Sequence, residues 1–280
     1  MNSFKHLAQR SNATLAQRSN ATKFADIGIK GKLLSALEKQ YHIVHPTISQ
    51  KAFIPAILSG GDLFIRDLTG SGKTFGLSLA AVAYPTFMAD SNQSSLHIHD
   101  QHIKGNTDMH QRQTIYDKKQ DRYIHTLMMV PTRDLAIQVF DWIKGFTNSY
   151  IHADDVKSMV QCIISGPEIE SQKELLKNCT PRIVVGTPNR LLELNNSKDL
   201  DFSRLRLLIV DEADRIVNCT SSHATVKKRF NAKVHKRDGE LLLENLFKSG
   251  KKKGIISILI FSGKFKNSGG SLFCFDKLFS

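Results

Sequence analysis

Apolar and polar positions alternate along this 280-residue chain in two kinds of block. Short runs of consecutive apolar residues read as strands buried on both faces: "DLFIR" at 62–66, "TLMMVP" at 126–131, "VQCIIS" at 160–165, "RIVVGT" at 182–187, "LRLLIV" at 205–210 and "IISILIF" at 255–261. Between them lie stretches with helical spacing. One covers Ile29 to Leu37, and "HPTISQKAFIPAIL" turns at Pro46 and enters a second. Further helices are expected at Phe75 to Ala83, at "RDLAIQVFDWIKGF" with Leu135, Val139 and Ile143 on one face, near Glu170 to Asn178, and at "PNRLLELN". Strands and helices taking turns in this way predict an α/β fold, a mostly parallel sheet with helices on both faces. Such sheets bind ligands at the carboxyl ends of their strands. "TGSGKT", "PTRDLA", "GTPNR" and "DEAD" all fall there, which implies one functional edge.

Three stretches break the pattern. Residues 88–123 are polar without sustained period and read as a long exposed insertion. Its cluster of His97, His99, Asp100 and His102 has metal-binding residue types but no distant partner ligands, so it reads as a solvated loop. Residues 1–23 contain no acid, repeat "LAQRSNAT" at Leu7 and Leu15, and form a basic low-complexity leader. That composition fits mitochondrial import, with a disordered RNA-touching arm in the nucleus or cytoplasm as the alternative. From Arg215 to Gly254, eleven Lys and Arg face three Asp and Glu, either a nucleic-acid footprint or a solvated loop.

Charge narrows the partners. Lys and Arg outnumber Asp and Glu by 39 to 26, a net +13, which favours a polyanion. The run "IISILIF" is far shorter than the ~18 residues a membrane-spanning helix needs. Cys162, Cys179, Cys219 and Cys274 contain no CxxC pair, so neither a disulfide framework nor a zinc ribbon is indicated.

The chemistry concentrates at two strand ends. In "TGSGKT", Gly70 and Gly72 permit backbone angles closed to other residues, so the N–H groups of Thr69, Gly70, Ser71 and Gly72 can turn toward phosphate oxygens at a helix N-terminus. Lys73 is placed to reach the outer phosphates of ATP, and the Thr74 hydroxyl to ligate Mg²⁺. At the end of "LIVDEAD", Asp211 can hold the same Mg²⁺ partly through water, and Glu212 can orient and deprotonate an attacking water.

In this order, "PTISQ" with upstream Phe24, "TGSGKT", "PTRDLA", "TPNR" and "DEAD" resemble the amino-terminal RecA-like domain of the DEAD-box RNA helicases, over residues 24–264. The resemblance implies a RecA-like P-loop NTPase fold with ATP, Mg²⁺ and RNA as ligands. It implies that Phe24 stacks on adenine and that Gln50 hydrogen-bonds the base edge. It places Pro131, Thr132, Arg133, Gly166, Thr187, Pro188 and Arg190 along the RNA backbone, and makes Asp214 and Ser262 coupling residues. Residues 265–280 are an atypical tail and no second RecA-like domain is expected, so a partner protein would have to supply one, and hydrolysis would otherwise be weak; a catalytically inactive RNA-binding or regulatory remnant is the alternative.

Four positions depart from the family pattern. Asp67 opens the phosphate loop where a small residue is usual, Pro167 follows Gly166 where a second glycine is common, and Asn189 replaces the glycine of "TPGR". Lys264 stands where the "SAT" triplet ends in a hydroxyl. Asp67 is expected near the loop rim, repelling phosphate without abolishing binding.

Overall fold

A computed structural model describes residues 23–96, 123–148, 156–218, 225, 234–248 and 256–262. Six strands form one sheet: β1 (Leu63–Asp67), β2 (Thr126–Met129), β3 (Val160–Ile163), β4 (Ile183–Gly186), β5 (Leu207–Val210) and β6 (Ile256–Ser262). Their order across the sheet is β1-β6-β5-β2-β4-β3, and every neighbouring pair is parallel.

Strand pleating explains why these runs are apolar throughout. Successive residues point to opposite faces. In β5, Leu207 and Ile209 enter one core while Leu208 and Val210 enter the other. In β2, Met128 joins the first core, and Leu127 and Met129 the second. The first core is closed by α1 (Gly31–Gln40), α2 (Ile48–Leu58), α3 (Lys73–Leu96) and α4 (Arg133–Asn148). α5 (Val156–Met159) leads directly into β3. α6 (Ile169–Asn178) and α7 (Pro188–Asn196) put Leu176, Leu191 and Leu194 into the second core, which is closed by α8 (Ala213–Ile216) and α9 (Asp238–Lys248). No helix among the described residues is long and apolar enough to cross a membrane.

The structure departs from the sequence expectation in two places. α3 runs past Ala83 to Leu96, into the stretch read as insertion. A nucleated helix adds each further residue at little cost, so polar residues can extend it without an apolar face of their own. The basic stretch from Arg215 contains α9, whose Leu242, Leu243, Leu246 and Phe247 are buried. Net charge hid an apolar stripe. Residues 1–22 of the leader, the histidine cluster, Lys264 and the tail lie outside the described residues.

Strand order separates the motifs into two groups. The phosphate loop follows β1 and the "DEAD" residues follow β5, with only β6 between those strands. "PTRDLA", the Gly166 loop and "TPNR" follow β2, β3 and β4, which are consecutive in the other half of the sheet.

Candidate nucleotide and RNA site

The phosphate loop joins β1 to α3. Gly70 and Gly72 have φ of 87° and 79°, the left-handed region in which a side chain is strained. Gly72 is also crowded, since a Cβ there would lie 2.8 Å from Gln50 Nε2. Lys73 begins α3, is buried, and turns its ammonium back into the loop. It donates to the Asp67 carbonyl at 3.0 Å, to the Leu68 carbonyl, and to Ser71 Oγ at 3.2 Å.

Across the sheet edge, Thr74 Oγ1 donates to Asp211 Oδ2 at 2.6 Å, although the two residues are 137 positions apart. The Glu212 N–H donates to Asp211 Oδ1 at 2.8 Å. Asp211 is 1% exposed. Burial pushes its carboxyl above the usual range, against the Thr74 and Glu212 donors. A buried carboxylate with neutral donors on both oxygens, beside a threonine hydroxyl at a phosphate loop, fits a divalent cation. Glu212 sits at φ 47°, at the start of the single turn α8, and its carboxylate is paired with Arg215 at 2.9 Å.

The "PTISQ" segment does something its pattern did not announce. Thr47 and Gln50 form a reciprocal capping box at the start of α2. Beyond capping, Thr47 Oγ1 donates to the Ser71 carbonyl at 2.9 Å, and Gln50 Nε2 to the Gly72 carbonyl at 2.9 Å. Ser49 Oγ donates to the Asp67 carboxylate. Three side chains of one helical turn therefore grip the phosphate loop. Gln50 Oε1 accepts the Thr47 N–H at 3.0 Å, so both ends of its amide have protein partners where the resemblance implied base-edge bonds. Phe24, expected to stack on adenine, is 0% exposed and packed in the first core, where burial of the whole ring is favoured over one wet face.

Asp67 is the unusual member of the loop. Its second oxygen accepts the Leu68 N–H at 2.7 Å. The Ser49 hydroxyl, more than any other neighbour, holds the carboxyl below the usual range, helped by the Leu68 N–H, the Ser71 hydroxyl and Lys73 against the effect of burial. It is an ionised group fastened to α2.

In the other half of the sheet, Thr132 caps α4, accepting the Leu135 N–H at 3.4 Å. Arg133 is exposed and lies over Gly166, where a Cβ would fall 2.5 Å from Arg133 Nη2. Gly166 has φ 117°, a conformation that strains any side chain, while the Arg133 guanidinium above it is the free end of an exposed side chain. Thr187 is 8% exposed and Pro188 opens α7. Arg190, implied to lie near RNA phosphates, is also 8% exposed. It donates to the Pro167 carbonyl at 3.3 and 3.4 Å and pairs with Glu193 at 3.0 Å, with Nε poorly aimed for a hydrogen bond. Its fork braces the loop that carries Gly166, because a buried guanidinium needs acceptors close by. Ser262 ends β6 in register with Asp67, between the phosphate loop and the "DEAD" strand, and Asp214 lies in α8.

The family model described as "DEAD/DEAH box helicase" matches residues 47–238, from the capping box of α2 to the start of α9. The chain belongs to the DEAD/DEAH box helicase family. It is 30% identical over 198 residues to the mitochondrial DEAD-box ATP-dependent RNA helicase 47 of Arabidopsis thaliana, covering 71% of this chain and 31% of that one. To the ATP-dependent RNA helicase DBP7 of Candida albicans it is 30% identical over 221 residues, 76% of this chain and 26% of the relative. The chain thus spans about a third or less of the length of these curated relatives. Among solved structures, the DEAD-box helicase Mss116 bound to ssRNA and UDP-BeF shares the fold at a TM-score of 0.61 and 19% identity, over 93% of this chain and 43% of that one. The fold is RecA-like.

Ser49, Thr47, Arg215 and Arg237 escaped the sequence reading. The loop contacts of Thr47 and Ser49 and the bonds of Arg237 have partners distant in sequence, many of them backbone carbonyls, which leave no residue pattern, whereas the Arg215–Glu212 pair and the Thr47–Gln50 capping box are three residues apart and were legible.

Proposed function

We propose that this DEAD-box chain binds ATP with Mg²⁺ at the tips of β1 and β5 and the sugar-phosphate backbone of RNA at the tips of β2, β4 and β3. The observation that carries the reading is the 2.6 Å contact of Thr74 with the buried Asp211, which joins phosphate loop and "DEAD" strand into one cation-ready site. Thr74 and Asp211 would hold the metal, with Thr69 to Gly72 and Lys73 on the phosphates. When bound, Mg²⁺ supplies charge neutralisation on the phosphate oxygens. Lys73 must exchange the Asp67 and Leu68 carbonyls for phosphate, and Glu212 must leave Arg215 to orient a water and take its proton. Arg133 and the Gly166 loop would meet phosphate and sugar, which carry no base sequence.

A partner that brings an arginine to the phosphates raises turnover, because the one cation inside the described loop is Lys73 and an added arginine is worth about 10³ to 10⁵ in rate in related phosphoryl transfers. A second reading, an RNA-binding or regulatory remnant without turnover, is favoured by the Glu212–Arg215 pair, which occupies the base. Nucleotide affinity measured with and without Mg²⁺ tests the site: Asp211→Asn should lose the Mg²⁺ dependence and Lys73→Ala most of the affinity. Mg²⁺-independent binding in the parent would refute it. RNA-stimulated ATPase with a second domain added in trans, compared with Glu212→Gln, separates the two readings. The basic leader supports mitochondrial import, testable by fusing residues 1–23 to a fluorescent protein and locating it.

A further inference from the structure

We infer that the first turn of α9 is a positioning link between the RNA-facing loops and the "DEAD" turn. The inference rests on the nucleotide and RNA reading above. Arg237, just before α9, turns its guanidinium to the carbonyl end of α8, donating to the Arg215 carbonyl at 2.7 Å, with those of Asp214 and Val217 at 3.3 and 3.4 Å. Glu240 accepts from the backbone N–H and side-chain amide of Asn218 at 2.9 and 3.0 Å, and from the Arg237 N–H at 2.8 Å. Gly239 is pressed onto the same turn, where a Cβ would lie 2.3 Å from Ile216 Cγ2 and 2.9 Å from the Ile216 carbonyl oxygen. The contact is close-packed as well as polar.

Asp238, in the middle of this turn, faces the other way. Its Oδ2 accepts from Asn189 Nδ2 at 3.1 Å, and Asn189 Oδ1 accepts from Ser165 Oγ at 3.5 Å. Asn189 is the residue that replaces the glycine of the family pattern, and a glycine would have no side chain to make either bond. Ser165 immediately precedes Gly166, over which Arg133 lies. One short turn thus touches the RNA half of the sheet through Asp238 and the catalytic half through Arg237, Gly239 and Glu240. Because α8 is a single turn, with the Arg215 N–H donating to the Glu212 carbonyl at 2.8 Å, a shift at its carboxyl end is carried to Glu212 at its start. RNA seated on the Ser165 and Asn189 loops would thereby bias the position of Glu212 and Asp211, and Arg237 acts as a positioning residue where its stretch had read as RNA footprint or solvated loop.

The test is the coupling between ligands in the full chain, measured as the ratio of AMP-PNP dissociation constants, with Mg²⁺ present, without and with a saturating short uridine oligonucleotide. The parent should show a ratio of about 5 or more. Asn189→Asp sets two carboxylates against each other and should bring the ratio close to unity. Adding Asp238→Asn exchanges donor and acceptor with no change in net charge, and should restore the ratio to within about twofold of the parent, a recovery that general damage to folding would not give. Arg237→Lys keeps the charge but loses the fork, so the ratio should fall while nucleotide-free RNA affinity stays within about twofold. A parent that binds both ligands with a ratio of one overturns the link alone, as does failure of the exchanged pair to recover, or an Arg237→Lys variant that loses RNA affinity at an unchanged ratio. A parent that binds neither ligand overturns the nucleotide and RNA reading together with the link.

Discussion

Replacing Asp67 isolates the cost of a carboxylate at the mouth of a phosphate loop. A phosphate cradled by the loop N–H groups would sit about 7 Å from that carboxylate, so one unit of repulsion amounts to about 0.6 to 2.4 kcal/mol at effective dielectrics of about 80 to 20. The structure favours the weaker end. Asp67 is half-exposed, one oxygen accepts from Ser49 and the other from the Leu68 N–H, so much of its field is already compensated. An effective dielectric of about 40 to 80 leaves about 0.6 to 1.2 kcal/mol, or about 3- to 8-fold in affinity. Asp67→Asn removes the charge and keeps an acceptor for the Leu68 N–H, while its new amide N–H₂ faces the Ser49 hydroxyl, which can turn to accept. Displacement of a fluorescent nucleotide in the presence of Mg²⁺ should therefore show binding tightened about 3- to 8-fold, with the gain shrinking as salt is added. Asp67→Ala also frees the Leu68 N–H and should tighten at least as much, while Ser49→Ala, which releases the carboxylate from α2, should weaken binding. Lys73→Ala sets the baseline. Unchanged or weaker binding in Asp67→Asn would refute the electrostatic reasoning and make the Ser49 tether the function of Asp67.

RNA affinity should fall about tenfold or more between 50 and 200 mM salt if a few phosphates are contacted, and a filter-binding titration that proves salt-insensitive would contradict the backbone reading. His125 is buried and its pKa is lowered to about 4, first by desolvation and then by Arg182 and Arg206. The unfolded chain takes up that proton near 6.5 and the folded one does not, so stability rises with pH between about 4 and 6.5; denaturant unfolding should lose ~2 kcal/mol from pH 7 to pH 5, and a His125→Phe variant should lose less over that range. Gly239→Ala should destabilise by about 1 to 3 kcal/mol, because the added methyl meets both a side chain and the Ile216 carbonyl; an unchanged melting temperature would show that α9 can withdraw from α8. Cys162, its thiol pushed up to about 11 by burial and by Asp141, should alkylate slowly at neutral pH, and rapid labelling in the native state would show that β3 opens.

The sequence by itself determined the layers and the chemistry. Runs such as "LLIV" can be buried on both faces only within a sheet covered by helices, and "GSGKT" at a strand-to-helix turn needs the phosphate loop's backbone angles wherever the strand lies. Asp211 and Thr74 could be named as candidate metal ligands from their two motifs at strand ends. What the sequence did not contain was the order of strands, and with it the division of the edge into a β1, β6, β5 half and a β2, β4, β3 half. Nor did it indicate that Gln50 and Ser49 face the phosphate loop, that Phe24 and Arg190 are spent inside the protein, or that Arg237 reaches the carbonyl end of α8. The reason is physical. Local pattern records whether a side chain faces water or core, because that is fixed by the period of its own element, whereas the partner of a polar side chain is fixed by which elements pack beside it, and a carbonyl acceptor is identical at every position of the chain.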